Sequence, residues 1–171
     1  MDATVRDYHA QLGISPHYAE KTNLRFHASP GNLVDIGLDC YGRPQRLRED
    51  AAAAWMGMRE AASAASIELL VVSAYRSAEY QVEVIQRQLA TGKKIEDILT
   101  RVAAPGFSEH HSGCALDLTT PGYEAVEEAF EDSDAFTWLV ANAPTHGFHL
   151  SYPRDNPYGV IYEPWHWCFS N

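Results

Sequence analysis

The chain is poor in cysteine, poor in cations and free of long apolar runs. Its three cysteines, Cys40, Cys114 and Cys168, are widely spaced and include no CxxC pair. That excludes a disulfide framework and reads as free thiols in a reducing compartment. Lysine and arginine total 13 against 23 aspartates and glutamates, a formal net charge of -10, and no block of basic residues occurs. Nothing in that balance can track a phosphate backbone, so nucleic-acid binding is not expected. No stretch approaches the roughly 20 apolar residues of a membrane helix, and no membrane partner is expected either. The opening Met1-Asp2-Ala3-Thr4-Val5-Arg6-Asp7 lacks the basic start, apolar middle and small-residue cleavage site of a secretory signal. Taken as the native start, it leads to the expectation of a cytoplasmic protein. Internal repeats and low-complexity segments are absent.

The 171 residues suffice for one domain with a real hydrophobic core, with residues 1–46 expected as an N-terminal segment packed on it. Turns are marked by Pro30-Gly31 and Gly42-Arg43-Pro44, with a short strand expected over 32–39. The alanine-rich window 47–66 places Leu47, Ala51, Met58 and Ala62 at helical spacing and predicts a helix. An apolar strand over 67–73 follows and delivers Tyr75 and Arg76 to its end. Ser77 is placed to cap a helix reaching about Ala90, and 95–102 reads as another. Further helices are expected over 123–130 and 134–142, and strands over 114–119, 148–152 and 160–169. The fold class is α+β: a small antiparallel sheet carrying a single metal site, backed by helices.

Chemistry concentrates in Ser108-Glu109-His110-His111-Ser112-Gly113-Cys114-Ala115-Leu116-Asp117 and in Glu163-Pro164-Trp165-His166. These segments supply the imidazoles and carboxylates that one hydrolytic zinc ion needs: three ligands, an open position for water and a carboxylate to move protons. His110, Asp117 and His166 are assigned as ligands and Glu163 as the base. In a strand over 114–119 Asp117 shares a face with Ala115, while Leu116 and Leu118 point into a core. Glu163 and His166, three apart, would face opposite ways in a regular strand. Both reach one metal only if the pleating breaks, and Pro164 makes a break plausible.

At these residues the chain resembles the zinc D-alanyl-D-alanine carboxypeptidases of the vancomycin-resistance type and their L,D-carboxypeptidase relatives. Ser108, His110, Gly113, Ala115 and Asp117 match the signature SxHxxGxAxD, and Glu163, Trp165 and His166 match ExWH. Ser73-Ala74-Tyr75-Arg76-Ser77 with Gln81 resembles the family's SxYRS...Q segment, so the likeness spans about 69–169. It implies one zinc ion on His110, Asp117 and His166, with Glu163 activating water and protonating the leaving amine. Arg76 would stabilise the oxyanion or hold the polarised carbonyl. Ser108 and Tyr75 would help hold the terminal carboxylate of the substrate, and Ser73 and Gln81 complete the implied substrate-binding set. The implied activity is removal of a C-terminal D-alanine from peptidoglycan stem peptides or their fragments, with muropeptides as partners.

Alternatives stand beside each assignment. His111 is the nearest rival to His110. His146 and His149 have no carboxylate at helical or strand spacing and read as a helix end passing into a strand. Many relatives carry a basic residue where this chain has Cys168, and a thiolate there could close the site as a fourth ligand. Cys114 reads as a small buried hydrophobe. The rival functions are a peptidoglycan endopeptidase of the lysin kind and a catalytically silent zinc-stabilised binding module.

Overall fold

The computed structural model describes residues 3–170. Among the described residues six helices and six strands follow the order α1 (Ala3–Leu12), α2 (Tyr18–Thr22), β1 (Leu33–Leu38), β2 (Pro44–Arg48), α3 (Glu49–Ala64), β3 (Leu70–Ser73), α4 (Ala78–Leu89), α5 (Ile95–Ile98), β4 (Ala115–Thr119), α6 (Asp134–Asn142), β5 (Phe148–Leu150) and β6 (His166–Phe169). The main sheet runs β3-β4-β6-β5 with every pair antiparallel, and β1 and β2 form a separate hairpin. Among the described residues no helix is long and apolar enough to cross a membrane.

The expected helix over 47–66 starts later, at Glu49, because Leu47 belongs to β2, where it pairs with Val34 and is fully buried. The alanines that follow mask so short a strand. Glu49 and Asp50 then occupy the first turn of α3, where the helix dipole favours acidic groups. Ser77 and Ser133 cap α4 and α6 as serines should, each accepting the amide three residues on.

Three expected elements are corrected. The helix expected over 95–102 ends at Ile98 and passes into turns. That expected over 123–130 does not form: Val126 has φ 56, outside the helical region, and only a 3-10 turn over Glu128–Asp132 follows. The strand expected over 160–169 is confined to β6, because Ile161 and Glu163 spend their amides on Thr100 and Tyr152 rather than on a sheet neighbour.

Strand β4 is buried along its whole length. Leu116 and Leu118 enter a core with Trp55 and Met58 of α3 and Trp167 of β6. Full burial of such a side chain is worth roughly 1.5–3 kcal/mol each, which anchors the strand from behind. A second core joins Leu12, Ile14 and Tyr18 of the N-terminal segment to Val82 and Ile85 of α4, Phe107 and Tyr152. The Tyr152 ring of this second core lies 4.8 Å from the His166 ring of β6, tilted by 39°.

Candidate active site

Asp117 at the middle of β4 has Ser73 and His166 as its cross-strand partners. Directly opposed residues of an antiparallel pair share a face, so β4 and β6 present Asp117 and His166 side by side. His110 arrives on a 3-10 turn, Glu109–Ser112, that ends at Gly113 with φ +69. A Cβ at position 113 would come within 3.0 Å of the Arg48 backbone nitrogen, so glycine is required both by conformation and by space.

Hydrogen bonds from behind settle which nitrogen each imidazole presents. His110 Nδ1 lies 2.6 Å from the Ala74 carbonyl, which can only accept, so Nδ1 carries the proton and Nε2 turns to Asp117 Oδ2 at 3.1 Å. His166 is oriented the other way. Its Nε2 donates to Glu109 Oε2 at 3.0 Å, and its Nδ1 sits 3.0 Å from Asp117 Oδ1. One donor atom from each of His110, Asp117 and His166 lies within 4.8 Å of the others, and all three residues are buried. Two nitrogens and one oxygen, with the far side of each ring already bonded, suit a zinc ion that keeps a position open.

Glu163 reaches the same spot because the chain turns. The His166 amide donates to the Glu163 carbonyl at 3.1 Å, closing a tight turn through Pro164, and the Trp165 carbonyl accepts from Leu118 to resume the ladder. Glu163 Oε2 thereby lies 3.9 Å from His166 Nδ1. Arg76, just beyond β3, places a terminal nitrogen 3.8 Å from Asp117 Oδ2, and its buried Nε has no hydrogen-bond partner.

The electrostatics follow from burial and pairing. Burial opposes the charged form of Asp117, yet the charges and hydrogen bonds of His110 and His166 hold its carboxyl well below the usual range. Burial also opposes a charged His166, but Asp117 and Glu109 outweigh it and raise the imidazole to about 10. Glu109 is brought down to about 2: burial works against ionisation, and the hydrogen bond and charge of His166 prevail. Glu163 goes the opposite way, pushed up to about 8 by burial, with the His166 charge only partly offsetting it.

A cavity of about 250 Å³ opens over these groups, lined among others by Arg76, Gln81, Arg101, Ser108, Tyr152 and Glu163. Gln81 donates to the Ala103 carbonyl at 2.6 Å and keeps a buried Oε1 without a partner. Ser73 and Tyr75 do not line this cavity. Ser73 lies in β3 opposite Asp117, and the Tyr75 hydroxyl instead bonds Ser29 at 3.1 Å, with its ring under the Arg46 guanidinium.

His111 is not part of the cluster. Its Nδ1 donates to the Arg76 carbonyl at 2.6 Å, and burial lowers it to about 4. Among the described residues His146 and His149 join no metal-binding group, and neither does Cys168, which lies against Glu109. The thiol therefore does not close the site. Glu109, Arg101 and Tyr152 escape a sequence reading. Glu109 alone had a signal, being a carboxylate adjacent to a candidate ligand histidine.

Residues 44–171 match the family model described as VanY: D-alanyl-D-alanine carboxypeptidase. The chain is 35% identical over 153 residues to the putative carboxypeptidase YodJ of Bacillus subtilis (strain 168), covering 82% of this chain and 55% of that relative. It spans about half the length of the curated relatives it matches. Among solved structures it is similar to the LdcB LD-carboxypeptidase, with a TM-score of 0.72 and 34% identity over 82% of this chain and 69% of that one. It is also similar to a variant of the vancomycin resistance D,D-pentapeptidase VanY in complex with Zn(II), with a TM-score of 0.65 and 25% identity over 88% of each chain. The chain belongs to the VanY family of D-alanyl-D-alanine carboxypeptidases.

Proposed function

We propose that this chain is a zinc-dependent carboxypeptidase that hydrolyses the bond preceding a C-terminal D-alanine in peptidoglycan-derived peptides. The observation that carries the reading is the convergence of His110 Nε2, Asp117 and His166 Nδ1 beside Glu163, at the floor of a cavity that also holds Arg76. His110, Asp117 and His166 would hold one zinc ion, which when bound lowers the pKa of water and polarises a carbonyl.

The chain supplies the rest. Glu163, with Oε2 3.9 Å from His166 Nδ1, takes a proton from the attacking water and returns it to the departing amine as the C–N bond breaks. D-Alanine leaves with a free amino group, and the shortened peptide keeps the new carboxylate. Arg76 faces the carbonyl oxygen as negative charge develops on it. Ser108 and the unpaired Gln81 Oε1 offer polar contacts to the peptide, and Arg101 at the rim offers a cation to its terminal carboxylate. D,D-pentapeptidase and LD-carboxypeptidase neighbours support both a pentapeptide and a tetrapeptide as candidate substrates.

The test is incubation of zinc-loaded protein with muramyl penta- and tetrapeptides, followed by mass. Loss of one alanine from either peptide is expected. An unchanged mass for both overturns the reading.

A further inference from the structure

We propose that Glu109 is a positioning residue of the metal centre, selecting the nitrogen that His166 presents and holding the ring in place for the ion. The inference rests on the metal reading above. It assigns a role to a residue that stands outside the ligand set, the base and the substrate cavity.

His110 and His166 meet nearly at right angles, with ring centroids 5.0 Å apart and an interplanar angle of 81°. Each ring offers one nitrogen to the space beside Asp117, and the two use opposite nitrogens. His110 is locked by a backbone carbonyl, whereas His166 has no such anchor behind it and relies on the Glu109 carboxylate at 3.0 Å. Both nitrogens of His166 face carboxylates, Nδ1 that of Asp117 and Nε2 that of Glu109; an ion beside Asp117 would displace the Nδ1 proton, and Glu109, which only accepts, would keep the remaining proton on Nε2. The same short turn thus delivers a ligand, His110, and the group that orients the second histidine.

Glu109 also lies on the wrong side of His166 to touch a peptide. It is not among the residues lining the cavity over Glu163 and Arg76. It faces a separate cavity with Arg48, Cys114 and Cys168. A direct catalytic role is therefore closed to it, and its influence passes through the imidazole. Carboxylates hydrogen-bonded to metal-bound histidines raise ligand basicity, and their loss commonly costs about 10- to 100-fold in metal affinity.

The experiment measures zinc affinity by competition with a chromophoric chelator for the wild type, Glu109→Ala and Glu109→Gln. In parallel, nitrogen NMR of the zinc-loaded proteins identifies the protonated nitrogen of His166. Wild-type protein should show a slowly exchanging Nε2 proton. Glu109→Ala should bind zinc about 10- to 100-fold more weakly and lose the protection of that proton. Glu109→Gln, which keeps an acceptor oxygen of the same reach, should recover part of both. It also serves as the informative variant should the alanine protein fail to fold. At saturating zinc the KM for the peptide should match the wild type, because Glu109 lines no part of the substrate cavity.

Unchanged affinity and an unchanged Nε2 proton in both variants overturn the proposal, as does wild-type His166 found binding through Nε2. If wild-type protein itself binds no zinc, the metal reading fails first, and the two failures are told apart.

Discussion

Glu163 and His166 sit three residues apart and yet bring Oε2 and Nδ1 to 3.9 Å, because the chain turns between them where a strand would have separated them. That turn is the reason one short segment can provide both a proposed ligand and the proposed base. The base assignment has a clean test. Glu163→Gln should retain stoichiometric zinc, measured by elemental analysis, while alanine release falls by about 100- to 10,000-fold, the range general acid–base catalysis contributes. Activity near the wild-type level would move the base elsewhere.

His110 and His111 are adjacent but face different partners. His110 Nδ1 bonds the Ala74 carbonyl and its other nitrogen meets Asp117, whereas His111 is bound to the Arg76 carbonyl. His110→Ala is expected to lose the zinc ion at equilibrium dialysis. His111→Ala is expected to keep it and to lower kcat, because the backbone behind Arg76 loses its hydrogen-bond donor. A reversed pattern would shift the ligand register by one residue.

The local parts of the candidate site's geometry were legible in the sequence. Signature spacing, the small residues around Asp117 and the need for a break near Pro164 all depend on neighbours a few positions away. What stayed hidden is long-range. Tyr75, which the resemblance assigns to the substrate carboxylate, bonds Ser29 through its hydroxyl, 46 positions away. Glu109 matters because of His166, at a separation of 57, and no local pattern encodes that pairing. The helix expected over 123–130 failed for a different reason: a positive φ at Val126 overrode a helical composition. Strand β2 was lost to the alanines beside it, since its burial depends on pairing with β1.

Arg76 and Arg101 line one cavity in different ways, and their substitutions should separate kinetically. Arg76 is largely buried beside Asp117, and Arg101 is exposed at the rim. Arg76→Gln should lower kcat by about 100- to 1,000-fold, the usual loss for a group that stabilises developing charge. Arg101→Gln should raise KM by up to about fivefold with kcat unchanged, since an exposed charge pair is worth no more than about 1 kcal/mol. Amidating the terminal carboxylate of the peptide should abolish that KM difference. A kcat effect at Arg101, or a KM difference that survives amidation, would remove the carboxylate role.

Asp39 ties the β1–β2 hairpin to the candidate metal site through a continuous chain of hydrogen bonds. Its Oδ2 accepts from Gln45 at 2.8 Å, Gln45 Oε1 accepts from the Ala74 amide at 3.0 Å, and the Ala74 carbonyl accepts from His110. The carboxyl is fully buried, and burial alone would disfavour its charge. The backbone amides of Arg43 and Tyr41 and the Arg43 guanidinium outweigh that and hold it below its ordinary value. Because the folded state binds the proton more weakly than the unfolded chain, the stabilisation is fully present above the unfolded pKa, near about 3.9. It is lost as pH falls through the lower folded value. Asp39→Asn keeps the shape and removes the charge, so at pH 7 it should cost about 2 kcal/mol in urea unfolding, in line with hydrogen bonds to a charged group. The gap between variant and wild type should narrow as the pH is taken below about 4. A gap that stays constant down to pH 2 would mean that Asp39 acts by shape alone.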